Sequence, residues 1–127
     1  MAITKTARTL VSAATSNAAG TATRGRLDMN SVYGGFLTVK ITNGGTGPTI
    51  QCQANIMIAH NASLPAAGFA GADWKTIASY GGGTTAGTIT EQSMPIDPSI
   101  MCLEVEFYGN TGQAVTVEAY LSELTSV

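Results

Sequence analysis

Apolar residues recur at every second position along most of this 127-residue chain. A period of two fits half-buried β-strands and does not fit a helix face. In 36–43, Leu37, Val39 and Ile41 alternate with Thr38, Lys40 and Thr42. After "NGGTGP" the alternation resumes over 49–60, with Ile50, Cys52, Ala54, Ile56 and Ile58 on one face and Gln51, Gln53, Asn55 and Met57 on the other. "SIMCLEVEFY" sets Met101, Leu103, Val105 and Phe107 inward against Cys102, Glu104 and Glu106, and "AVTVEAYLSEL" aligns Val115, Val117, Ala119 and Leu121. Weaker runs, "RTLVSA", "RGRLDM", "DWKTIASY" and "TITEQSMPI", bring the expected number of strands to about eight. Pro95 marks its strand as an edge or a strand end. Gly-rich breaks separate the runs, and "GGGTTAG" supplies positions where a positive φ costs little. The segment 61–72 reads as a long loop anchored by Phe69. Regularly spaced strands with turns between them predict a single-domain all-β sandwich of jelly-roll type.

Charge narrows what such a sandwich can be for. Only 11% of residues are charged, against about 25% in an ordinary globular domain. No run approaches the roughly 18 apolar residues of a membrane span, and "TLVSAA" is too short for the apolar stretch of a signal peptide. The chain therefore reads as made in the cytoplasm and unprocessed, with no membrane partner. Cys52 and Cys102 fall on predicted strands and read as buried free thiols rather than a bridge.

Catalytic constellations are scarce. His60 is the one histidine, so a histidine metal cluster is excluded, and a triad would need Asp28, Asp73 or Asp97 to meet it through the fold. Glu104 and Glu106 stand at i and i+2, about 7 Å apart on one strand face. That spacing is compatible with glycoside hydrolysis, but a solvated acidic face extended by Glu118 is the preferred reading. A calcium site built on Asp97 lacks the D-x-D spacing. "YGGGTTAGT" lacks the lysine and the helix of a phosphate loop. The expectation is a protein without enzymatic activity and without a cofactor.

The first 27 residues carry Lys5, Arg8, Arg24 and Arg26 and no acid, whereas all eight acidic residues lie beyond them. Four cations without interleaved aromatics do not make a nucleic-acid groove; they suit docking on an acidic surface. Residues 1–23 are accordingly read as a basic arm or a first edge strand, and 24–127 as the sandwich. The uncharged face of Gln51, Gln53 and Asn55 is the expected self-association surface. Trp74 and Tyr80 are the single-strand pair available as a platform for a sugar.

The phrases "RGRLDM", "YGGFLTVKITNGGTGPT", "GADWKTIASYGGGTTAGTIT" and "CLEVEFYGNTGQAVTVEAYLSEL" resemble small Thr/Gly/Ala-rich virion accessory proteins of tailed bacteriophages, the capsid decoration or cement type. The similarity covers roughly residues 24 to 124. It implies a compact β fold, no enzyme activity, assembly as a homo-oligomer (often a homotrimer) and attachment to the phage major capsid protein on the virion surface. A tail or host-attachment component with a carbohydrate-binding sandwich is the alternative.

Overall fold

The computed structural model describes residues 2–67 and 73–127; Phe69 lies outside the described residues. The chain forms β1 (Thr4–Asn17), β2 (Thr23–Asp28), β3 (Gly35–Asn43), β4 (Gln53–Ala59), β5 (Lys75–Gly81), β6 (Ile89–Ile96), β7 (Cys102–Tyr108) and β8 (Val115–Ser126). Two four-stranded antiparallel sheets result, ordered β1-β8-β3-β6 and β2-β7-β4-β5. The chain is a ribbon doubled on itself, in which β1 pairs with β8, β2 with β7, β3 with β6 and β4 with β5. Pairing of β3 with β8 and of β4 with β7 joins the ribbon into sheets. This is jelly-roll order, as the sequence pattern predicts, and it excludes immunoglobulin-like topology.

The alternation fixes which side of each strand is inside. Leu37, Val39 and Ile41 of β3 lie opposite Leu121, Ala119 and Val117 of β8, and all six are buried. From the second sheet, Ala54, Ile56, Leu103, Val105 and Phe107 complete the core between the sheets. Pro95 lies on β6, an edge strand. Ile50 departs from the pattern: it precedes β4, bridges to Thr111 and is exposed.

Residues 4–17, left open by the sequence between an arm and an edge strand, form β1 along the whole length of β8. Past Val11 the strand bulges: pairing jumps from Val11↔Ala119 to Thr15↔Val117, and Ala14 takes a left-handed φ of 55°. At Gly25 the edge of the second sheet meets the first. A Cβ there would stand 2.2 Å from the Leu10 carbonyl oxygen, so the close approach of β2 to β1 requires glycine.

Candidate functional site

Both sheets have an outer face, and the two differ in what covers them. On the second sheet, strand register sets Arg24, Glu106, Asn55 and Ser79 side by side across all four strands. Their side chains join into one row. Arg24 Nε donates to Glu106 Oε2 at 2.9 Å, Asn55 Nδ2 donates to Glu106 Oε1 at 3.1 Å, and Ser79 Oγ donates to Asn55 Oδ1. Glu106 is buried, so a charge that water no longer solvates is held by a guanidinium and an amide.

The next part of this face is roofed by the chain itself. Met57, Ala59, Trp74 and Cys102 form a second, smaller apolar cluster, with Leu64 packed against it. The segment after β4 is tied down over it: Trp74 Nε1 donates to Ala66 O at 2.8 Å, Arg26 Nη1 donates to Pro65 O, and Asn30 Nδ2 donates to Asn61 O at 3.1 Å. Cys102 Sγ lies 3.4 Å from Asn61 O. Both cysteines are free and buried. Burial pushes the Cys52 thiol up to about 12, and it also raises Cys102, with Asp28 adding to the shift.

Several expectations change here. Glu104 and Glu106 are not a solvated acidic face; both are buried. Glu118 cannot extend them, since β8 belongs to the other sheet. Met57, placed by alternation on a polar outer face, is buried beneath the loop. Of the self-association candidates, Asn55 is buried with both amide atoms engaged, and Gln51 Oε1 accepts from the Gly83 amide at 3.0 Å. Gln53 is half-buried. The sugar platform is lost as well, because Trp74 is 3% exposed and the Tyr80 hydroxyl turns to Met94 Sδ at 3.8 Å.

The four basic candidates are divided by the fold rather than gathered. Arg24 and Arg26 belong to the second sheet, as above. Arg8 bonds Glu123 at 3.4 Å, and Lys5 stands at the end of β1 beside a groove of about 390 Å³ shared with Tyr33, Phe36, Ser122 and Leu124.

The outer face of the first sheet is open. Its rows across β8, β3 and β6 read Ser122–Phe36–Pro95, Tyr120–Thr38–Ser93, Glu118–Lys40–Glu91 and Thr116–Thr42–Ile89. Across these three strands charge is confined to one row, where Lys40 Nζ lies 3.8 Å from Glu118. Phe36 (52%), Tyr120 (37%) and Ile89 (61%) are exposed on this face, and Tyr33 (46%) stands beside it. Sequence reasoning missed this surface. Phe36 sits on the Thr38–Lys40 side of the β3 alternation, which was legible, but the polar residues around it directed attention to the other sheet. Among the described residues, no group of three or more His, Cys, Asp or Glu is placed to hold a metal ion, and no helix is long and apolar enough to cross a membrane.

No family model and no curated protein sequence matches the chain at a significant level. Solved structures do match. One is the K3 cleaved adhesin domain of Lys-gingipain from Porphyromonas gingivalis, with TM-score 0.54 and 12% identity over 85% of this chain and 72% of that one. Another is the VP2 subviral particle of infectious bursal disease virus, with TM-score 0.54 and 10% identity over 95% of this chain and 32% of that one. The SPBc2 prophage-derived protein YomS aligns over 96% of both chains, with TM-score 0.46 and 17% identity. For the adhesin domain and VP2, at these identities, the likeness is one of fold.

Proposed function

We propose that this protein is a non-enzymatic structural component of a bacteriophage virion, a capsid decoration subunit that associates with copies of itself and with the major capsid protein. The observation that carries the reading is the open face of the first sheet. Interface cores are depleted in charge and enriched in aromatic residues, and this face exposes Phe36, Tyr120 and Ile89 among threonines and serines, with the charges of β8, β3 and β6 in one row. Isolated apolar side chains on a surface need no explanation; several on one weakly charged sheet face do. The resemblance of the sequence to phage accessory proteins supports the same reading. The paired Glu residues of β7 are buried rather than set in an open cleft, and Glu106 is engaged by Arg24 and Asn55.

The test is mass spectrometry of purified particles of the phage that encodes the chain, with copy numbers relative to the major capsid protein. A stoichiometry of several hundred per particle is expected. A few tens or fewer would assign the chain to a tail or vertex, and its absence from particles would overturn the reading.

A further inference from the structure

The first half of β1 differs from every other strand. Thr4 to Thr9 are exposed without interruption on both sides of the strand. On one flank this stretch pairs with β8, from Thr4↔Ser126 to Thr9↔Tyr120; on the other flank no strand of the sheet follows. At Leu10 the flank is closed by β2, which approaches there at Gly25. What remains open is a six-residue edge, "TKTART". Such an edge is a template for another strand.

We propose that this edge takes up an extended, acidic peptide segment of a partner protein as a fifth strand of the first sheet. The edge carries Lys5 and Arg8 and no acid. The cations lie on opposite sides of the strand: Lys5 borders the groove on the outer face, and Arg8 reaches Glu123, which is buried on the inner side. A second copy of the same strand would bring cation against cation, which disfavours pairing. An incoming strand whose alternate residues are carboxylates meets a cation instead. Lys5 and Arg8 thus close the edge to its own kind and open it to an acidic one. The proposal stands apart from the virion reading, since particle copy number is measured independently of it.

The probes are two end-capped hexapeptides, EVEFEV and its basic counterpart KVKFKV, added to the full chain. Amide hydrogen exchange and NMR titration read the outcome. Expected are saturable binding of EVEFEV, exchange slowed about tenfold or more at residues 4–9, and no response to KVKFKV. Lys5→Glu, at an exposed position, should retain the thermal midpoint while weakening EVEFEV binding about tenfold or more. Equal binding of the two peptides, or full affinity in Lys5→Glu, would overturn the proposal. So would residues 4–9 already protected in the free protein in a way that dilution reverses, because a second copy would then cover the edge. A glycan array showing saccharide binding that Phe36→Ala abolishes, with EVEFEV inert, would assign the groove to sugars and overturn it too.

Discussion

Glu106 is the residue on which the second sheet turns. Its carboxylate receives Arg24 from β2 and Asn55 from β4, so one side chain on β7 fixes the lateral alignment of both neighbours. A buried pair that loses one member leaves an uncompensated charge, at a cost of about 3–5 kcal/mol. With the Arg24 side chain 31% exposed, water recovers part of that. Arg24→Ala is expected to destabilise the fold by about 2–3 kcal/mol in urea titration, and a change within 0.5 kcal/mol would show that the row is decorative. Cys52 gives a pH dependence of known sign. Its thiol ionises near 9 in an open chain and near 12 in the fold, so the folded state favours the protonated form. Its contribution is complete below pH 9 and is lost as pH rises from 9 toward 12. Stability measured across that window should fall, and Cys52→Ala should flatten the fall while lowering the neutral-pH plateau, because a cavity remains. At this scale the sequence was legible where alternation alone decides, as at Leu103, Val105 and Phe107. It misled at Glu104 and Glu106, because alternation assigns a side of the sheet and not what lies over that side.

Among the elements, β1 and the segment between β4 and β5 account for the difference between pattern and structure. The segment's Pro, Ala and Gly residues read as a loop, and nothing local indicates that Leu64 and Trp74 fold back over Met57 and Cys102. That is a long-range packing event with no period. For β1, Thr and Ala at exposed positions give a weak strand signal, yet pairing with β8 holds the strand from end to end. Deleting residues 2–20 should remove Val11 from the core and bare the flank of β8, lowering the thermal midpoint by more than about 10 °C. Deleting 2–9 alone, where nothing is buried, should lower it by a few degrees. Equal midpoints for the longer deletion and the intact chain would show that β1 is an appendage. The position of Lys5 and Arg8 near the start was visible in the sequence; their separation from Arg24 and Arg26 by the fold was not, because it depends on which sheet each strand joins.

For the whole molecule, the doubled ribbon sets the order of events in folding. Of the strand pairs, β4 with β5 joins neighbours in sequence, whereas β1 with β8 joins the two ends. Closing long loops before contacts compensate for them slows folding. Stopped-flow refolding should accordingly occupy milliseconds to seconds, and a single microsecond phase would contradict the topology. A chain truncated after Ala114 lacks β8, a central strand of the first sheet, and should not fold at all.

The same pairing has a geometric result at the chain ends. Thr4 lies opposite Ser126, so a tag, label or domain joined at either end leaves the molecule from one corner, next to Lys5 and Leu124. A short Gly/Ser bridge would join the ends, and new ones could be opened in the exposed turn at Thr84–Ala86. A circular permutant made in this way would carry its attachments away from that corner and leave the "TKTART" edge unobstructed.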